Sequence, residues 1–78
     1  MNTEFSDHAN LKIKQRRLSR QKILDAVANP DFTEHSYAGR KKLFKKFGKN
    51  YLQAIVVYEI RTIVVVTAHW VAKIQKRQ

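Results

Sequence analysis

Three histidines, a dense set of cations and a threonine near the C-terminal end are the residues of this chain whose types could do chemistry. His8, Lys12 and Arg16 recur every four residues, so on a helix they form one row. Thr67 and His69 follow the apolar run Val64 to Val66, and strand alternation points both to one face and Ala68 and Trp70 to the other. If the helix packs over the Thr67 and His69 face, a pair of imidazoles converges with one or two cations. Such a set suits metal-independent RNA cleavage. One group takes the 2′-hydroxyl proton, another protonates the leaving 5′-oxygen, and Lys or Arg stabilises the charge developing on phosphorus. The plainer reading of the same residues is a cationic helix edge laying its methylenes along the core, with a structural histidine near a sheet edge.

The charge is lopsided. Lys and Arg number 16 against 6 Asp and Glu, a net charge of +10, and no acidic residue falls between Glu34 and Glu59. Six of the ten residues in RKKLFKKFGK are cationic: Arg40, Lys41, Lys42, Lys45, Lys46 and Lys49. A polyanion on such a surface gains free energy by releasing condensed counterions, which makes nucleic acid, RNA ahead of DNA, the expected partner. An acidic protein fits the same cations. Tyr37, Phe44, Phe47, Tyr51, Tyr58 and Trp70 are interleaved with them, either stacking bases or building the core that a small chain needs. Tyr37 and Tyr51, near turns, are the two expected at the surface, as is His35. No metal or cofactor is expected: the histidine separations match no compact ligand pattern, and Gly39 and Gly48 are too isolated for a phosphate loop.

Positioning these groups falls to one small domain, numbered 1–78, with its core at about residues 6–70. The absence of cysteine suits a reducing cytosol, MNTEFSDHANLK lacks the apolar stretch of a secretion signal, and a cytoplasmic location is expected. Glu59, Arg61 and His69 interrupt the apolar region from Ala54 to Ala72, which predicts two buried strands and no membrane contact. A first helix is predicted from about Ser6 to Arg17, with Ser6 or Asp7 as its cap and Phe5, Ala9 and Ile13 on its apolar stripe. A second, capped by Ser19, carries Ile23, Leu24 and Val27 inward and stops at Asn29-Pro30. DFTEHSYA, KKLFKKF, NYLQAIVVYE and RTIVVVTAHW then read as four strands joined by short turns. The fold class predicted is α+β, two N-terminal helices packed on a four-stranded antiparallel meander. Residues 71–78 read as a frayed helix or a basic extension, and the first or last strand offers an edge through which a homodimer could pair.

The order of these features resembles a known family. HANLKIKQRRLS is similar to the HAxxRMxxRxIS opening of the domain of unknown function 4258 family, which is placed near the RelE/ParE toxin-like superfamily. ILDAVANPD resembles its second helix, KKLFKKFGKNYLQAIVV its lysine-bearing strand and hairpin, and TIVVVTAHW its closing strand. The resemblance implies a RelE/ParE-like fold, a ribonuclease-like toxin activity and an acidic antitoxin. It places His8, Lys12, Arg16, Lys46, Thr67 and His69 on the family's polar positions, with Lys12 where arginine is usual and His69 where tyrosine is common. Such a chain either cuts RNA or binds nucleic acid without cutting, as a module of a mobile element would.

Overall fold

In the computed structural model, which describes residues 2–72, the chain forms β1 (Asn2–Phe5), α1 (Asp7–Arg16), α2 (Arg20–Ala28), β2 (Phe32–His35), β3 (Arg40–Phe47), β4 (Asn50–Glu59) and β5 (Thr62–Val71). The sheet has five strands in the order β1-β5-β4-β3-β2. This corrects the expected four-stranded antiparallel meander: β1 adds a fifth strand and runs parallel to β5, so the sheet is mixed. NTEF is short, with a single large apolar residue, and its partners Thr62 to Val65 lie at the other end of the sequence. No local turn signal announces such a pairing. Phe5, expected on the first helical stripe, is instead the last residue of β1 and packs against the core from there.

Local chemistry accounts for the two helices. Ser6 has extended backbone angles and its Oγ accepts the Ala9 N–H at 3.0 Å, capping α1, while Asp7 in the first turn and Lys14 and Arg16 in the last complement the helix dipole. Arg17 closes the helix in the left-handed conformation (φ 53°). Ser19 caps α2 by accepting from the Lys22 N–H, and Asn29 ends it ahead of Pro30.

Both helices lie on one face of the sheet. Ala9, Ile13, Ile23 and Val27 meet Leu43 of β3, Leu52, Ala54 and Val56 of β4, and Val65 and Ala68 of β5. Ile23, Leu43, Leu52, Val56 and Val65 are the largest fully buried side chains. Each contributes roughly 1.5–3 kcal/mol of hydrophobic stabilisation. The opposite face carries Ile55, Val57, Val64 and Val66, all half-buried, so the continuous apolar runs of β4 and β5 serve two faces, only one of them roofed by helices.

A bulge in β5 determines what the unroofed face displays. Val56 pairs with Val65 but Ile55 pairs with Thr67, leaving Val66 as an extra residue. Before the bulge the odd-numbered Ile63 and Val65 point toward the helices; after it the even-numbered Ala68 does. Thr67 and His69 are thereby moved onto the open face. Ser6 anchors this point twice, its N–H donating to the Val65 carbonyl at 3.0 Å and its Oγ to the Val66 carbonyl at 3.1 Å.

β1 pairs with β5 only as far as Val65, and α1 runs along the remaining edge, where Arg16 Nη1 donates to the Ala68 carbonyl at 2.7 Å. The last strand is therefore not a sheet edge, contrary to expectation; β1 and β2 are. Val71 ends β5, and the expectation of a helix or basic extension beyond it falls, from residue 73 onward, outside the described residues. Among the described residues no helix is long and apolar enough to cross a membrane.

Candidate functional site

Strand alternation divides the basic cluster. Cross-strand pairing sets Arg40, Lys42 and Lys46 of β3 on the open face, beside Val57, Ile55 and Tyr51 of β4. Lys41 and Lys45 point the other way: Lys41 Nζ lies 5.8 Å from the Tyr58 ring centroid, and Lys45 Nζ donates to the Asn29 carbonyl at 3.1 Å, tying β3 to the end of α2. Lys49 is exposed in the two-residue turn between β3 and β4, which Gly48 opens with φ +66°. The predicted stripe of cations is thus three on one face, two on the other and one at the tip.

On the open face, pairing aligns Thr67, Ile55, Lys42 and Glu34 in one row and His69, Gln53, Phe44 and Phe32 in the next. Successive rows stand about 6.7 Å apart, two strand residues. His69 is half-buried. Burial first, and then the charges of Arg16 and Lys42, lower its pKa from the ordinary 6.5. At neutral pH its imidazole is therefore mostly uncharged and able to accept a proton, flanked by a cation from α1 and another from β3.

α1 packs over the Ala68 face and not, as the sequence reading required, over that of Thr67 and His69. Its polar row nevertheless reaches the open face because the helix lies along the outer edge of β5. Arg16 reaches the Ala68 carbonyl, and His8, exposed in the first turn, lines a pocket of about 180 Å³ with Ser36, Tyr37, Arg40, Ile55, Val66 and Thr67. Lys12, between them, donates to Gln15 Oε1 at 3.4 Å along its own helix. His8 and Thr67 thus share one pocket, and His69 stands one row beyond it. Among the described residues no three His, Asp or Glu side chains gather where a metal ion could be held.

The aromatics sort by the same alternation. Phe32 stacks on Phe44 (centroids 4.6 Å apart) and meets the edge of Tyr51 (5.6 Å), so these three cover one another at the β2 end of the open face. Tyr37 is largely exposed, as expected, while Tyr51 is half-buried. Trp70, on the helix side, packs edge-on against Phe47, with Lys22 Nζ above both rings. His35 is exposed on β2. Sequence reasoning missed Gln53, buried in mid-strand beside His69, and Ser36; neither residue stood out, since one lies within an apolar run and the other in a loop.

Fold and site together define a small basic α+β protein whose helices leave one sheet face open, lined by cations and two histidines. The chain belongs to the family "Domain of unknown function (DUF4258)", whose model matches residues 5–70. That match takes in only the last residue of β1 and all of the elements that follow as far as Trp70. No curated protein and no solved structure matches the chain.

Proposed function

We propose that this protein binds RNA across the open face of its sheet and acts there as a toxin-like, metal-independent ribonuclease. The observation that carries the reading is His69, kept in its proton-accepting form by burial, Arg16 and Lys42, one row from the pocket that holds His8 and Thr67. A phosphate between the two rows meets a base on one side and a second imidazole on the other. His69 takes the 2′-hydroxyl proton, the 2′-oxygen attacks phosphorus, the bond to the 5′-oxygen breaks, and His8 returns a proton to the departing oxygen. The products are a 2′,3′-cyclic phosphate and a 5′-hydroxyl. Lys42 and Arg16 stabilise the extra charge on phosphorus, Thr67 orients the nucleotide next to it, and Arg40 and Lys46 contact neighbouring phosphates.

The sequence resemblance to a family placed near the RelE/ParE toxin-like superfamily supports the same reading, and an acidic antitoxin would mask the site by competing for the same cations. The test is incubation of labelled RNA with the purified protein in EDTA, with the ends of the products assayed. Cyclic phosphate ends that disappear in both His8→Ala and His69→Ala support the assignment. RNA that is bound but left intact assigns a nucleic-acid-binding module without catalysis, and RNA that is neither bound nor cut leaves the basic surface to an acidic protein.

A further inference from the structure

Tyr37 is 78% exposed, an expensive place for a large aromatic side chain that nothing in the core explains. It is also firmly held. The β2–β3 connection is closed by the Ser36 N–H donating to the Arg40 carbonyl at 2.9 Å and the Arg40 N–H donating to the Tyr37 carbonyl at 3.1 Å. Ala38 and Gly39 follow with φ of 58° and 71°, two successive left-handed residues that reverse the chain tightly. The Arg40 guanidinium lies 5.3 Å from the Tyr37 ring centroid, covering one face of the ring.

The pocket that Tyr37 borders has an apolar floor, Ile55 and Val66, and a rim of Ser36, Thr67 and His8. Its volume of about 180 Å³ falls below the roughly 300 Å³ at which small-molecule and cofactor sites begin. It suits a single flat ring with polar edges. Both hydroxyls of the rim can donate or accept, which matches the mixed donor and acceptor edge of a nucleobase. Unstacked bases are the groups that single-stranded RNA offers to an exposed aromatic ring.

Building on the reading of the open face as an RNA-binding surface, we infer that the pocket between the Ser36–Arg40 turn and the Val66 bulge is a base-binding subsite, in which Tyr37 stacks one unpaired nucleobase and Ser36 and Thr67 hydrogen-bond its edge. The bulge serves the subsite as well, because it brings Val66 and Thr67 into the pocket wall. The base held there belongs to a nucleotide adjoining the phosphate that lies between His8 and His69, so the subsite fixes where along the strand that phosphate sits.

The test uses a fully 2′-O-methylated RNA octamer, which cannot be cleaved through its 2′-oxygens, and the same octamer with every base removed. Affinities are measured by fluorescence anisotropy for the unaltered protein, Tyr37→Phe and Tyr37→Leu. Tyr37 is exposed, so neither variant threatens the core. The subsite requires the intact octamer to bind more tightly than the abasic one, Tyr37→Phe to preserve that preference, and Tyr37→Leu to weaken the intact octamer by about 5- to 100-fold while leaving the abasic one unchanged. Equal affinities for the two octamers, or an intact octamer indifferent to Tyr37→Leu, overturn the subsite while leaving phosphate binding in place. Failure of both octamers to bind overturns the subsite together with the RNA reading on which it rests.

Discussion

Ser6→Ala should cost more than an ordinary helix cap, because Ser6 does two jobs at the junction that shapes the site. As the cap of α1 its Oγ accepts the Ala9 N–H at 3.0 Å, and as an anchor of the β5 bulge the same oxygen donates to the Val66 carbonyl at 3.1 Å. Loss of a serine cap costs about 1 kcal/mol. Loss of the second hydrogen bond, to a half-buried strand, costs about 1 kcal/mol more. The sum of about 2 kcal/mol corresponds to a fall in Tm of roughly 8–16 °C for a domain of this size. Ser19→Ala supplies the internal control, since Ser19 caps α2 through the Lys22 N–H and is exposed. It should cost only about 1 kcal/mol. Ser6→Thr, which keeps a hydroxyl able to make both contacts, should restore most of the loss. Thermal and urea unfolding followed by circular dichroism measure all three variants. Ser6→Ala no more damaging than Ser19→Ala would show that the contact to Val66 contributes nothing and that the bulge is held by other means.

Deleting Val66 removes the bulge but leaves Val65 next to Thr67, so the pairs Val56–Val65 and Ile55–Thr67 become consecutive in a regular ladder and Thr67 and His69 should stay on the open face. The variant should therefore keep its near-UV circular dichroism and lose only about 1 kcal/mol with the Ser6 contact to the Val66 carbonyl, whereas a lost near-UV signal would show that the strand needs its bulge to pack. Arg16→Ala removes one of the charges that hold the His69 pKa down, so an NMR titration of the imidazole should move upward toward 6.5, whereas an unmoved titration would remove Arg16 from the site. Because the folded pKa of His69 lies below 6.5, the unfolded chain binds more protons at mildly acid pH. Stability should therefore fall as pH drops through 6.5 and level off below the folded pKa, a slope that His69→Gln should flatten in urea titrations across that window. Lys46→Ala on the open face should lower the salt dependence of RNA binding by about 0.7 in log-log slope, the single-strand value for one phosphate, and Lys45→Ala, on the face tied to Asn29, should leave that slope unchanged.

The helices and the last four strands were legible in the sequence because their signals are local. Ser6 and Ser19 stand one residue before their helices, Asn29-Pro30 ends the second, and two-residue turns separate β3 from β4 and β4 from β5. β1 was hidden because its pairing with Thr62–Val65 is parallel and spans nearly the whole chain. The residues of the site were legible as types, while the means of bringing them together were not. Simple alternation separates Thr67 and His69 from Ala68 and Trp70 correctly, yet a β5 without its bulge would have turned Thr67 and His69 to the same side as Val65. A bulge leaves no mark in a run of valines. The basic segment misled in the opposite sense: its density suggests one stripe, but a strand sends neighbouring lysines to opposite faces.

The most direct test of the open face as the RNA-binding surface is NMR mapping with the uncleavable 2′-O-methylated octamer on isotopically labelled protein. Shifts should concentrate at Arg40, Lys42, Lys46, Tyr51, Gln53, Thr67 and His69, and the His69 imidazole should titrate at higher pH once a phosphate lies beside it. Shifts confined to Lys14, Lys22 and Lys45 on the helix side, or none at a concentration where the octamer is bound, would contradict the account.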